Sequence, residues 1–338
     1  MPQPRLSVLL PVHNAEPFLE RCLTSLWRQT LVDLEVVAVD DGSTDRSPQA
    51  LSEHQQQDRR LRVIRQPHRG VVAALNRGLD ECRSPIVARM DADDVAHPRR
   101  LQAQLETLEA RPDIGVVSCL VRIFPASRIA GGYREYERWI NNLGRHDEMA
   151  RERFVESPVA HPSVAMRRHL LAQAGGYRDC GWPEDYDLWL RLFESGVRFT
   201  KVPQILHFWM DRPGRLSRID NRYDKDAFLR CKAHYLACGP LAGRERLVVW
   251  GAGRTGRRLM RFLRDEGVTA AAVVDIDPAK IGRTISGAPV IDPRGLPPIL
   301  EQGTVVVAAV ASRGARELIR ERLLSFGLAE GRSFWCAA

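Results

Sequence analysis

Three carboxylates within four positions, Asp91, Asp93 and Asp94, follow the apolar run Ile86 to Ala88. Like charges this close repel one another unless a cation or hydrogen-bond donors neutralise them. Hard divalent ions such as Mg2+ and Mn2+ take oxygen ligands of this kind, with a phosphate supplying the rest of the shell. A solvated acidic turn capping the helix that opens at Pro98 is the plain alternative. A second acidic stretch, Asp40-Asp-Gly-Ser-Thr-Asp45, also ends an apolar run, and Glu184-Asp185 opens a helical pattern. On that helix Asp185 shares a face with Leu188, Trp189 and Leu192, whereas Asp187 is expected to pair outward with Arg191. The helix dipole favours a first-turn carboxylate in any case. One on an apolar stripe should have a raised pKa, which suits a general base.

The elements that must position these residues alternate. Leu6 to Val12 reads as a strand, with Asn14 as N-cap of a helix marked by Leu19, Leu23, Leu26 and Trp27. Leu34 to Val39 is a second strand, so the unit is βαβ and the two strands are parallel. A strand at 61–64, a helix at 71–82, a strand at 85–90, a helix through Leu101, Leu105 and Leu108, and a strand at 114–123 continue the pattern. This predicts a doubly wound sheet with helices on both faces, in which ligands sit beyond the carboxyl ends of the strands. Both acidic clusters fall at such ends. Residues 131–151 read as a helix and a mobile loop, His161 to Met166 as a strand, Gly175-Gly176-Tyr177 as a turn and 184–194 as a helix.

Composition bounds the rest. The 338 residues suffice for two domains. The formal charge of +8 is spread along the chain; it suits an anionic ligand such as a nucleotide diphosphate, and no basic run with interleaved aromatics points to nucleic acid. Seven scattered cysteines without a C-x-x-C pair suggest neither zinc site nor disulfide framework. With no leader pattern and no apolar run of bilayer length, a cytoplasmic protein is expected, with peripheral contact at the inner face of the membrane left open.

Five stretches resemble, in order and spacing, the inverting family 2 glycosyltransferases with a GT-A fold. They are Pro11-Val-His-Asn14, Asp40-Asp-Gly-Ser-Thr-Asp45, Arg69-Gly70 with Ala74-Leu-Asn-Arg-Gly78, Ala88-Arg-Met-Asp-Ala-Asp-Asp94 with Pro98-Arg-Arg-Leu101, and Glu184-Asp-Tyr-Asp-Leu-Trp-Leu-Arg191. The resemblance implies that Asp41 hydrogen-bonds the donor nucleobase, usually uracil, and that Asp93 binds a divalent metal. Asp91 would contact the donor ribose or the metal shell, and Pro11, Asn14, Arg69 and Asn76 would contribute to donor binding. It makes Asp185 the base that deprotonates the acceptor hydroxyl, in a single displacement that inverts configuration. Glu184, Trp182 and His161 are acceptor-side candidates. One departure stands out. In Arg212-Pro-Gly-Arg-Leu-Ser217 an arginine replaces the histidine that completes the metal shell in many relatives, and His207 lies five residues earlier. Arg212 is then expected to contact the diphosphate.

After Cys238-Gly-Pro-Leu-Ala-Gly243 the pattern restarts, which places a GT-A domain at 1–238, a linker at 239–245 and a second domain at 246–338. A strand at 247–250 runs into Gly251-Ala-Gly-Arg-Thr-Gly256, and a strand at 271–274 ends in Asp275. That is the dinucleotide fingerprint, Gly251, Gly253, Gly256 and Asp275, with phosphate expected on the helix N-terminus. A strand at 304–310 and a last helix complete a small Rossmann-like unit resembling those beside sugar acyltransferases. Glycines that only permit close strand–helix packing are the alternative to a bound NAD(P) or other nucleotide. The expected function is transfer of a sugar from a nucleotide-diphosphate donor to a glycan or lipid-linked hydroxyl acceptor. The alternatives are an NAD(P)-dependent sugar-modifying oxidoreductase and a non-catalytic glycan- or nucleotide-binding protein.

Overall fold

Strands buried on both faces need no polar alternation, so the apolar runs of this sequence become neighbouring strands of one sheet. The computed structural model describes residues 3–129, 131–300 and 303–338. The chain forms two compact units, one from Met1–Met149, Pro158–Cys180 and Asp187–Arg218, the other from Ala150–Ser157, Gly181–Tyr186 and Ile219–Ala338.

In the first unit β1 (Leu6–Val12), β2 (Leu34–Asp41), β3 (Leu61–Gln66) and β4 (Ile86–Arg89) run parallel in the order β3-β2-β1-β4. The crossovers are helices α1 (Glu16–Trp27), α2 (Ser47–Gln57) and α3 (Val71–Glu81). Next come β5 (Val95–Ala96), α4 (Arg100–Ala110), β6 (Ile114–Phe124), α5 (Gly131–Asn142), α6 (His146–Glu152), β7 (Ala165–Arg167), α7 (Arg168–Gln173), α8 (Glu184–Glu194) and β8 (Arg198–Met210). They extend the sheet as β4-β7-β6-β8-β5, with β6 and β8 parallel and the remaining pairs antiparallel. The sheet is therefore mixed. Along β1, Leu6, Val8, Leu10 and Val12 pack against α1 and α4 on one face, while Leu9 joins Leu75, Leu188 and Trp189 on the other. The strand alternation thus feeds two apolar layers.

Three expectations change. Residues 131–151 hold two helices rather than a helix and a loop. His161–Ser163 forms a 3-10 turn, and only Ala165–Arg167 pairs as a strand. Asp187 does not face outward: it and Arg191 are 1% and 9% exposed. Arg191 donates to Asp187 Oδ2 at 2.8 Å and to the Gly176 carbonyl at 2.9 Å, and also caps the Ala174 carbonyl at the end of α7. Burial is tolerable here because the guanidinium is satisfied on every side.

The second unit follows α9 (Leu216–Ile219) and contains α10 (Lys225–Cys238), β9 (Arg246–Trp250), α11 (Arg254–Asp265), β10 (Ala270–Val274), β11 (Thr284–Ile285), β12 (Ala288–Ile291), β13 (Thr304–Ala308), α12 (Ala315–Ser325) and β14 (Phe334–Cys336). Its sheet runs β11-β12-β10-β9-β13-β14, parallel except for β11. Val248, Val274, Val306, Phe334 and Cys336 meet Ile319 and Leu323 of α12 in one core. Among the described residues, no helix is long and apolar enough to cross a membrane.

Asp187→Ala should cost about 3–5 kcal/mol by stranding the Arg191 charge. Urea unfolding checks this as a lower midpoint at unchanged slope, and the pair Asp187→Leu with Arg191→Met should recover most of the loss.

Candidate active site

The order β3-β2-β1-β4 reverses direction between β1 and β4, and the carboxyl ends flanking such a reversal form a crevice. Asp41 closes β2 and Asp91 follows β4, on the same rim with β1 between them. Two strand spacings separate them by about 10 Å.

The acidic stretch after β2 divides its labour. Asp40 Oδ1 accepts the Ser43 N–H at 3.0 Å, which tightens the turn. Asp45 Oδ2 accepts the Glu16 N–H at 3.0 Å, so it caps α1 from across the rim. Asn14 is not that cap. It takes a positive φ of 50° and its Oδ1 accepts the Thr44 N–H at 2.8 Å, bracing the loop instead. Asp41 is 3% exposed and accepts from Gln66 Nε2 at 2.6 Å and from the Arg69 and Gly70 N–H groups at 2.9 Å each. His68 Nδ1 lies 2.8 Å from Asp41 Oδ2, and the His68 ring stacks on His13 at 4.1 Å between centroids. Burial pushes the Asp41 carboxyl up, but these donors outweigh it and hold it below its ordinary value. Gln66 and His68 were invisible as site residues in the sequence, where they sit in no apolar or acidic pattern, and His13 was passed over within the Pro11-Val-His-Asn14 stretch. Arg69 contributes its backbone N–H here. Asn76 bonds both the N–H and the carbonyl of Tyr177 at 2.9 Å, tying α3 to the 175–177 turn. Pro11 lies in β1, one residue before the Val12–Asp40 pairing.

The turn after β4 is a balance of charges. Asp91 Oδ1 pairs with Arg89 at 2.7 Å and Asp93 Oδ2 with Arg212 Nε at 2.7 Å. Asp94 is fully buried, taking His207 Nε2 at 2.9 Å and the Met210 N–H at 2.7 Å. Behind it, Arg100 NH1 approaches His207 Nδ1 at 2.9 Å. Burial, then Arg100, hold His207 well below the ordinary imidazole value, so the ring is neutral and donates through Nε2. Burial, then the charges of Asp94 and Asp91, push Asp93 up to about 6. Burial, then Asp91, push Asp94 up to about 8. Asp91 stays below its ordinary value because Arg89 and Arg215 outweigh its burial. Oxygens of all three carboxylates lie within 4.8 Å of one another. That hard, over-charged oxygen set fits Mg2+ or Mn2+. The arginine expected near the diphosphate thus rests on the expected metal ligand.

Of the acceptor-side candidates, His161 is 6% exposed and bonds the Tyr177 hydroxyl at 2.9 Å, inside the core of the first unit. In the second unit Asp185 is half-buried and Glu184 buried, with Tyr223 donating to Glu184 Oε2 at 2.6 Å. Tyr223, absent from every sequence pattern, is pushed well above its ordinary value by burial and then by Glu184 and Asp185. The Trp182 ring lies 5.4 Å from that of His234.

At the glycine-rich turn after β9, a Cβ on Gly256 would come 1.9 Å from the Gly251 carbonyl oxygen, so this glycine permits strand–helix contact. Asp275 is already engaged: its Oδ2 accepts the Ala252 N–H at 2.8 Å, its Oδ1 the Asp277 N–H at 2.9 Å, and Lys280 lies 3.4 Å away. Gly253 is the N-cap of α11.

The raised values of Asp93 and Asp94 exceed the unfolded value of about 3.9, so the folded state holds these protons more tightly. Their contribution to stability is complete below about pH 4 and is lost as pH rises through about 6 and about 8. A cation that neutralises the ionised turn should therefore raise Tm more at a pH above the Asp94 value than below the Asp93 value. Thermal melts with and without Mn2+ check this. Arg212→Ala should enlarge the gain by freeing Asp93 Oδ2.

The family model described as Glycosyl transferase family 2 matches residues 7–175, and that described as CoA binding domain matches residues 244–324. The amylovoran biosynthesis glycosyltransferase AmsE of Erwinia amylovora is 32% identical over 203 residues, 59% of this chain and 74% of that protein. The uncharacterized glycosyltransferase EpsJ of Bacillus subtilis (strain 168) is 36% identical over 236 residues, 67% of each chain. Among solved structures, S. aureus TarS 1-349 in complex with UDP-GlcNAc aligns with a TM-score of 0.54 at 17% identity, over 78% of this chain and 73% of that one. The first unit has the GT-A fold, the second sheet is Rossmann-like, and the chain belongs to glycosyl transferase family 2.

Proposed function

We propose that the protein transfers a hexosyl group from a nucleoside diphosphate sugar, probed first with UDP-sugars, to a hydroxyl of a growing or lipid-linked glycan, with inversion. The observation that carries this reading is the pair of acidic sites on one rim, Asp41 at the end of β2 and the Asp91–Asp94 turn after β4. A nucleotide lies across such a crevice with its base toward one strand end and its phosphates toward the next. The UDP-GlcNAc bound by TarS and the biosynthetic name of AmsE support the same donor and acceptor classes.

In this reading Asp41 accepts an N–H of the nucleobase. A divalent ion held by Asp91 and Asp93 would offset the charge of the departing diphosphate. Arg212, released from Asp93, donates to the diphosphate oxygens. Asp185 takes the proton from the acceptor hydroxyl as it attacks the anomeric carbon, and Glu184 with Tyr223 fixes the start of α8. Residues 1–238 carry this chemistry, with 239–245 as linker and 246–338 as an accessory domain. The protein works in the cytoplasm, at the inner face of the membrane where lipid-linked acceptors are reached. The CoA-binding match supports a nucleotide-type ligand at the start of α11. The oxidoreductase reading gains no support, because the Asp275 oxygens that a dinucleotide ribose would need are taken by the chain itself.

Asp185→Asn should lower kcat by about 10²–10⁴-fold, the range for removal of a general base, with donor affinity unchanged. Asp41→Ala should do the reverse, weakening donor binding first. Steady-state kinetics combined with donor titration separates the two; equal losses of binding and turnover in Asp185→Asn would refute the base assignment.

A further inference from the structure

We infer that Tyr223 is a positioning residue for Asp185, an inference that rests on the assignment of Asp185 as base. By donating to Glu184 it keeps a negative charge beside Asp185 and so makes Asp185 the stronger proton acceptor. Tyr223 closes the 3-10 turn Asn221–Tyr223, between two backbone anchors. Before it, Asp220 Oδ1 accepts the Arg222 N–H at 2.8 Å. After it, Asp224 Oδ1 accepts the Ala227 N–H at 2.6 Å and caps α10. The ring is thereby delivered to a fixed place, where its hydroxyl donates to Glu184 Oε2 at 2.6 Å.

The two carboxylates are adjacent in the first turn of α8, Glu184 3% exposed and Asp185 half-buried. The Tyr186 N–H donates to Asp185 Oδ1 at 2.7 Å, and the fully buried Tyr186 donates its own hydroxyl to the Arg153 carbonyl at 2.6 Å. The start of the helix is held from both sides. Burial, then the charges of Glu184 and Asp185, push the Tyr223 phenol well above its ordinary value. It therefore stays protonated and is a donor at every working pH. A hydrogen bond given to a carboxylate favours its charged form, so Glu184 has a reason to remain ionised despite its burial. A like charge next door disfavours ionisation, so an ionised Glu184 raises the affinity of Asp185 for a proton. A general base gains from that affinity when it takes the acceptor proton in the transition state.

Other charged groups surround this turn. Arg222, next to Tyr223, pairs with Asp220 at 2.7 Å and holds it below its ordinary value. Arg153 comes from the segment at 150–157, and Arg230 of α10 reaches the Gly181 carbonyl at 3.3 Å. All three arginines stay charged throughout. His234 of α10, paired with Glu266 at 3.2 Å, lies against the Trp182 ring and is a second titrating group to control for.

The pH dependence of kcat in the full-length protein provides the test, with donor affinity and Tm measured alongside. Tyr223→Phe keeps the ring and removes the donor. Glu184, buried and short of one hydrogen bond, then takes up a proton at higher pH, and Asp185 loses its charged neighbour. The acid limb of the profile should move to lower pH by about one unit. The plateau kcat should fall about three- to tenfold, with donor affinity unchanged. Glu184→Gln, neutral at every pH, should reproduce both changes, and Tyr223→Phe added to it should change neither further, whereas independent effects would add. The displacement should persist in the His234→Asn background; its loss there would assign the limb to the imidazole and count against the inference. A Tyr223→Phe profile that superimposes on that of the unaltered protein, whatever its Tm, or an effect that adds in full to Glu184→Gln, overturns it. Undiminished kcat in Asp185→Asn would instead remove the base assignment itself.

Discussion

Placing three carboxylates at the end of a buried strand creates a charge that the rest of the first unit must balance. Arg89 does so from within β4 itself. Arg212 does so from the segment after β8. The deepest contribution is a relay: Arg100, fully buried at the first position of α4, reaches His207 on β8, which in turn holds Asp94. Arg100 also donates to the Arg89 carbonyl at 2.6 Å and to Gln104 at 3.2 Å, so its charge is spread over strand, turn and helix. The start of α4, the long β8 and the acidic turn are thereby one electrostatic object. His207, which the motif left five residues away from the expected shell position, serves this object by holding Asp94.

The stretch after β2 shows how little composition says about role. Asp40, Asp41 and Asp45 are the same side chain within six positions. The first closes a turn, the last caps α1, and Asp41 alone turns into the cup formed by Gln66, His68, Arg69 and Gly70. The difference is strand register. Asp40 pairs beside Val12, while Asp41 extends one residue further and reaches the loop that ends β3.

β1, β2 and β4 were legible because burial on both faces writes itself as apolar runs, and the half-buried edge strand β3 kept enough of that signal in Leu61, Val63 and Ile64. The rest was less so. α2 was missed because Ser47 to Gln57 buries only Ser47, Leu51 and His54, leaving no stripe to read. β8 was missed because Lys201, Pro203 and Gln204 interrupt it where its pairing with β6 slips register. α10 was missed because it buries Lys232 and Tyr235 together with its apolar residues, erasing its periodicity. For the site, the acidic residues carried a local signal. Arg100 and His207 stood in or beside the quoted motifs, but their pairing with each other and with Asp94, like the contacts of Gln66, His68 and Tyr223, is revealed only by tertiary structure. The outward reading of Asp187 failed for the same reason, since Ala174 and Gly176 supply the carbonyls that let Arg191 be buried.

The cup around Asp41 has a consequence for selectivity. A carboxylate offers about four lone-pair directions; Gln66, Arg69 and Gly70 take three of them by hydrogen bonds, and His68 Nδ1 crowds the remaining side at 2.8 Å from Oδ2. If Asp41 receives the nucleobase as proposed, the base does not fill a vacancy there; it displaces a side-chain donor, Gln66 or His68. Only a ring edge that presents its own N–H can complete such an exchange without leaving the carboxylate under-bonded. Uracil, thymine and guanine offer a ring N–H on that edge, whereas cytosine and adenine offer only an exocyclic amino N–H beside a ring lone pair that would face the carboxylate's second oxygen. Discrimination among nucleotides would then arise from what the empty cup already holds, as an entry fee charged in hydrogen bonds.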